Sequence, residues 1–234
     1  MSARDDVLAR IRSGLGRGEL TGDAATAAAA RIAEHSRNLI PARAAALDPP
    51  ARLDLFVAMA EAVQTTVTRI IADIDISGEV ARYLAAENLP AELRVAPDPS
   101  LDSISWSERP LLNIRYGKAE PGDAVSLTPC LAAIAETGTL MLISGEATPT
   151  TLNFLPDTHI VLLRASQVVA AYEDGWDLLR QRPGDGPHRL PRTVNFITGP
   201  SRTGDIEQKI ELGAHGPRRL HVILVDDAKA SRRK

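Results

Sequence analysis

A single cysteine, Cys130, is all the thiol chemistry available to this chain of 234 residues. One thiol cannot form an internal disulfide framework, nor a cysteine-built zinc or iron–sulfur site from this chain alone, and a buried thiol is the expectation. Aromatic residues make up 3% of the chain, so a platform for stacking nucleic-acid bases has little to be made from. Charge of one sign is also lacking: 27 Lys and Arg face 30 Asp and Glu, a net −3, which gives no whole-chain attraction for nucleic acid or an anionic membrane. The basic ending over 229–234 is expected to be a solvated tail. The histidines at His35, His159, His188, His215 and His221 have no metal-ligand spacing. Nucleotide signatures, whether Gly-x-Gly-x-x-Gly or a phosphate loop ending in Gly-Lys-Ser/Thr, are missing, as is the Gly-x-Ser-x-Gly elbow of a hydrolase. No signal peptide and no apolar run long enough to span a bilayer are read, so a cytoplasmic location is expected.

What the chain does have is 44% hydrophobic residues, enough for a sizeable core, arranged in two textures. Up to about residue 75 the pattern is helical. Ser2 and Asp5 have capping-box spacing ahead of Val7, Leu8, Ile11 and Leu15, and GLGRGELTG over 14–22 is the best linker. Asp48-Pro49-Pro50 starts a further helix whose apolar face runs through Leu53, Phe56, Ala60, Val63, Val67 and Ile70. A third begins near Ser77 and carries Val80, Tyr83 and Leu84. From about residue 92 short apolar runs take over: LRVA, LLNIRY, AVSL, GTLMLIS, HIVLLRA, TVNFIT and LHVILVDD. Several are continuous rather than alternating, as in strands of a parallel sheet covered on both faces, and helical patterns at 173–181 and 204–212 lie between them. An α/β layer architecture is expected, with a helical extension over 1–75, an α/β domain over 76–228 and the tail beyond.

Three segments have the residue types for chemistry. TGPSRTGDIE at 198–207 joins an apolar strand to an apparent helix start, where backbone N–H groups and a helix dipole can hold an anion. Ser201 and Thr203 are possible caps or ligand donors there, and Arg202 is a fork for a carboxylate or phosphate. A capped turn without a ligand has the same features, and the choice stays open. His215, flanked by glycines in GAHGP, is either an acid, base or carboxylate partner or a turn histidine bonded to a carbonyl. Glu136, in AETGT before the strand LMLIS, is either a ligand for backbone N–H groups or a base or nucleophile. Asn153 and His159 flank a Leu-Pro-Asp turn in NFLPDTHIVLL, and His159 reads as a satisfied histidine at the start of a strand.

Together, IAETGTLML, LPDTHIVLL and ITGPSRTGDIEQKIELGAHGPRRLHVILVD resemble the signature of the LUD-domain family, in its lactate-utilization branch. The resemblance runs through roughly residues 90–228. It implies a fold similar to the NagB/RpiA/CoA-transferase group, with helices on both faces of a layered sheet. It also implies a role beside two partner proteins, one cysteine-rich and one carrying iron–sulfur clusters, in oxidising L-lactate to pyruvate. No cofactor is then expected in this chain, and the clusters lie on the partners. Related sequences often carry an acid shortly before Ile-Ala-Glu-Thr-Gly, whereas Pro129-Cys130-Leu131-Ala132-Ala133 has none.

The site expected on this basis is a small-carboxylate pocket for lactate or pyruvate. Glu136 and His215 take catalytic roles, while Thr137, Gly138, Thr139, Thr198, Gly199, Ser201, Arg202, Thr203 and Gly216 bind substrate. Two alternatives stand beside it: a stand-alone isomerase or acyl/CoA-transferase-like enzyme using Glu136, and a non-catalytic scaffold.

Overall fold

The computed structural model describes residues 2–37, 39–182, 190–206 and 209–226, so the tail at 229–234 and His188 lie outside the described residues. Two compact units divide the chain between Ile40 and Pro41. The first holds α1 (Ala3–Gly14) and α2 (Gly22–Glu34), separated by the glycine-rich stretch. Ser2 caps α1 through a complete capping box with Asp5. Neither helix buries a residue, and Val7, Ile11, Leu15 and Ile32 are more than half exposed.

The second unit begins with α3 (Ala42–Ala45) and α4 (Pro49–Ala62), where Asp48 accepts a hydrogen bond from the Ala51 N–H at 2.9 Å. Leu53, Phe56 and Ala60 are buried on α4 as the spacing predicts. Val67 and Ile70 are not on that helix: the chain breaks at Val63 and Gln64 (φ 70°), and residues 66–70 form strand β1 (Thr66–Ile70). The β-branched run Thr-Val-Thr before Arg-Ile favours this extended state, and tertiary pairing completes it. The helical texture therefore stops short of residue 75, and α4 and β1 belong to the same compact unit as the sheet.

Next come α5 (Ile76–Ala86), β2 (Glu92–Val95), β3 (Asn113–Tyr116), β4 (Val125–Pro129), β5 (Ala132–Ile134) and β6 (Thr139–Ile143). The remaining elements are α6 (Thr151–Phe154), β7 (Thr158–Arg164), β8 (Val168–Val169), α7 (Tyr172–Gln181), β9 (Val194–Ile197), β10 (Arg202–Ile206), β11 (Lys209–Leu212) and β12 (Arg219–Val225). Six strands make a parallel sheet in the order β1-β12-β7-β4-β2-β3, with Thr66 opposite His221 and Arg219 opposite Thr158. AVSL, HIVLLRA and LHVILVDD are its central strands, as expected for strands covered on both faces, whereas GTLMLIS lies outside it and pairs antiparallel with TVNFIT. On one face Ile76, Val80, Tyr83 and Leu84 of α5 pack with Leu93, Val95, Ile160, Leu162 and Ile223. On the other, Phe56 and Ala60 of α4 join Val161, Leu163, Val222 and Leu224, together with Ala133, Leu140 and Leu142 of a second sheet ordered β8-β5-β6-β9. Helix α7 covers the outer side of that sheet, where Leu179 and Trp176 meet Met141 and Phe196. This is the expected layered α/β fold.

The helix expected at 204–212 is replaced by the antiparallel hairpin β10–β11, in which Arg202 pairs with Leu212 and Thr203 with Glu211. Gly204 weakens a helix by about 1 kcal/mol, and Lys-Ile-Glu-Leu alternates as a strand does, so pairing wins over a short helical repeat.

One polar cluster lies inside the first core. His221 stacks on Tyr83 (3.9 Å between centroids, 14° between planes), and its Nδ1 is 2.8 Å from the Thr66 hydroxyl. Its Nε2 is 3.7 Å from the Glu79 carboxylate, itself paired with Arg82. Burial, aided by Arg82, pushes the His221 pKa down to about 4 against the opposing pull of Glu79.

Candidate functional site

The β5–β6 turn carries the AETGT segment. Gly138 closes it by donating its N–H to the Ile134 carbonyl at 3.0 Å, at a φ of 67°. A Cβ on Gly138 would lie 2.4 Å from the backbone nitrogen of Ala60, so only glycine lets the turn sit on α4. Gly199, just past β9, repeats the device at φ 78°, where a Cβ would be 2.3 Å from the Val63 carbonyl oxygen. The two contacts are tied together by hydroxyls. Thr139 and Thr198 are 2.7 Å apart, Thr137 and Thr139 2.7 Å, and the Tyr172 hydroxyl at the start of α7 reaches Thr137 and Thr139 at 3.1 and 3.0 Å. Thr137, Gly138, Thr139, Thr198 and Gly199 thus form a clasp that fixes one end of the second sheet to α4.

Glu136 sits on the same turn. Its N–H donates to the Ala170 carbonyl at 3.2 Å, and its carbonyl accepts from the Arg43 guanidinium. Its carboxylate has no hydrogen bond or ion pair among the described residues.

Beyond Gly199 the chain is clipped to the GAHGP turn. The Ser201 N–H donates to the Pro217 carbonyl at 2.8 Å, the Gly213 N–H to the Ser201 carbonyl at 3.0 Å, and the His215 N–H to Ser201 Oγ at 3.2 Å. These loops wall a pocket of about 250 Å³ to which Thr198, Gly199, Ser201, Arg202, His215 and Gly216 contribute. Asn153 and Phe154 of α6, His159 of β7 and Leu220 of β12 form its other side. Glu136, Thr137, Gly138, Thr139 and Thr203 do not line it. The expected convergence of Glu136 with Ser201, Arg202 and His215 is therefore not found, because the turn that bears Glu136 is anchored on Arg43 and Ala170. The helix start expected after the loop is not there to supply a dipole, since β10 follows it; positive charge at the pocket comes from the exposed Arg202, which has no acidic partner among the described residues.

Asn153 and His159 are the residues that sequence reasoning set aside. His159 is wholly buried, with Nε2 2.8 Å from the Thr128 hydroxyl and Nδ1 without a partner. Burial pushes its pKa down to about 3, so it is neutral. Asn153 is 3% exposed. A strand-opening histidine and a buried asparagine on a one-turn helix carry no spacing signal that could have flagged them.

A larger cavity of about 740 Å³ lies beyond the carboxyl ends of β2 and β4, where the strand order reverses, and is lined by Ser100, Cys130, Ser144, Glu146, Gln167 and Arg182 among others. Ligands of open parallel sheets favour such crevices. Gln167 donates to the Cys130 carbonyl there at 2.8 Å, while burial pushes the Cys130 thiol up to about 12, as expected for an inert core cysteine. Among the described residues no group of three or more His, Cys, Asp or Glu could hold a metal ion, and no helix is long and apolar enough to cross a membrane.

Residues 122–225 match the family model of the LUD domain. Over that stretch the chain is similar to a LUD domain. That match takes in the second sheet, the clasp and every loop of the 250 Å³ pocket. The chain is 34% identical over 132 residues to lactate utilization protein C of Bacillus velezensis, covering 56% of this chain and 53% of that protein. It is 36% identical over 132 residues to the protein of that name from a Geobacillus species, with the same shares, and 35% identical over 150 residues to that of Deinococcus radiodurans, with shares of 63% and 64%. It thus spans about half the length of the first two relatives. A crystal structure of a DUF162-family protein from Deinococcus radiodurans superposes with a TM-score of 0.54 at 23% identity, covering 76% of this chain and 99% of that one. The chain therefore shares its fold with that protein.

Proposed function

We propose that this protein serves lactate utilization as a cytoplasmic subunit that binds a small carboxylate, lactate or pyruvate, in the pocket walled by Ser201, Arg202 and His215. The observation that supports this site is an arginine with no acidic partner among the described residues at the mouth of a 250 Å³ pocket, in a domain whose relatives bear that functional name. Arg202 takes the carboxylate through paired N–H donors, Ser201 adds a hydroxyl, and His215 accepts the hydroxyl proton. Lactate oxidation to pyruvate releases two electrons and two protons, one from the hydroxyl, taken by His215, and one from carbon 2, which passes to solvent. With no cluster-forming cysteines in this chain, the electrons pass to iron–sulfur clusters on partner proteins.

Calorimetric titration of the purified chain with L-lactate and pyruvate tests the pocket. Arg202→Ala is expected to weaken both by about tenfold or more while leaving the unfolding midpoint unchanged. A parent protein that binds neither acid at millimolar concentration would refute the site. Purification from native extract tests the assembly, with iron–sulfur proteins expected to come along.

The cavity at the carboxyl ends of β2 and β4 supports a second reading, a stand-alone isomerase or acyl-transferase-like enzyme. Glu146 and Asp98, rather than Glu136, are the carboxylates at that cavity, and Asp98 is already engaged by Ser100. Turnover of sugar phosphates or CoA thioesters by the isolated chain, abolished in Glu146→Gln, would favour it over the first.

A further inference from the structure

We infer that Asn153 selects the ligand by an uncharged oxygen on the carbon next to the carboxylate, so that the pocket takes 2-hydroxy and 2-oxo acids in preference to plain short-chain carboxylates; this rests on the carboxylate reading of the same pocket. Asn153 sits on α6 with its backbone N–H bonded to the Thr150 carbonyl at 3.0 Å, and only 3% of the residue is exposed. Its carboxamide has no protein partner among the described residues, yet neither amide atom is among the sealed unpartnered polar atoms. Since Asn153 lines the pocket, the small exposed part of this side chain is the amide, and it opens inward. An enclosed amide without a partner is costly unless a ligand or water uses it.

The rest of the pocket gives this amide its meaning. Arg202 is the one arginine among the lining residues, and no carboxylate is among them. The wholly buried His159, which lines the same pocket, is engaged by Thr128 and adds no charge. A charged mouth and a neutral polar floor match a molecule with a carboxylate at one end and an uncharged oxygen beside it. Phe154 and Leu220 offer apolar surface for a methyl group. A carboxamide both donates and accepts, so it serves the hydroxyl of a 2-hydroxy acid and the carbonyl of a 2-oxo acid alike.

The test is calorimetric titration of the full chain with L-lactate, pyruvate and propionate, the last having the carboxylate and methyl but no second oxygen function. The parent is expected to bind the first two about tenfold tighter than propionate. In Asn153→Leu the ratio of lactate and pyruvate affinity to propionate affinity collapses to parity, and Asn153→Ala should repeat the result should the leucine variant misfold. In the parent, the Asn153 side-chain amide resonances should shift with pyruvate and not with propionate. Equal affinity of the parent for all three acids, or a preference that survives in both variants, overturns the role of Asn153 and leaves the carboxylate reading standing if Arg202→Ala still weakens all three. A parent that binds none of them overturns both.

Discussion

Gly138 and Gly199 show how narrowly single residues are constrained where two backbones meet. Each has a positive φ, and each would drive a Cβ to within 2.4 Å of the backbone of α4 or the residue that ends it. Changing either to alanine adds the cost of a left-handed backbone to a displacement of the helix, about 3 kcal/mol or more. A urea titration should show this as a lower midpoint with an unchanged slope. The buried histidines set the response to acid. His159 and His221 have folded pKa values pushed down to about 3 and about 4, whereas the unfolded chain protonates at about 6.5. Between about pH 6.5 and pH 4 the unfolded state therefore binds more protons, so stability rises with pH and is lost as the pH falls through that window. Denaturation midpoints at pH 7 and pH 5 should differ in that direction, and His159→Gln should cut the difference by roughly half, because one of the two groups no longer contributes.

At the scale of elements, the clasp joins the β5–β6 turn, the exit of β9 and the start of α7 through four hydroxyls. Tyr172→Phe removes the member that bonds both Thr137 and Thr139, and should cost about 1 kcal/mol in a calorimetric melt. Helix starts were legible in the sequence where caps announced them, at Ser2 and at Asp48, because a cap acts within four residues. The long apolar strands were equally plain. What could not be read was β1, whose Val67 and Ile70 continue the helical spacing of α4 and become a strand only by pairing with β12. The β10–β11 hairpin was hidden for the same reason, since a short amphipathic segment satisfies either period until a partner is supplied. The threonines and glycines of AETGT and TGPSRTG looked like ligand donors, and residue type alone cannot separate a hydroxyl that bonds a ligand from one that bonds another hydroxyl.

For the whole molecule, the boundary at residue 40 carries its own test. Helices α1 and α2 bury no residue, so a chain beginning at Pro41 should keep a cooperative melt within a few degrees of the parent. The layered architecture was foreseeable from continuous apolar runs, but strand order was not, because pairing between strands far apart in the chain leaves no local mark. That order bears on how the protein comes into being. Strand β12 lies between β1 and β7, and Thr66 meets His221 across a separation of 155 residues. During synthesis β1 must wait, unpaired and half apolar, until nearly all the described chain has left the ribosome. Any stop codon before Arg219 would leave two parallel strands with bare edges, the kind of surface that recruits other chains. Shortened products of this gene should thus collect in the insoluble fraction instead of persisting as smaller folded forms.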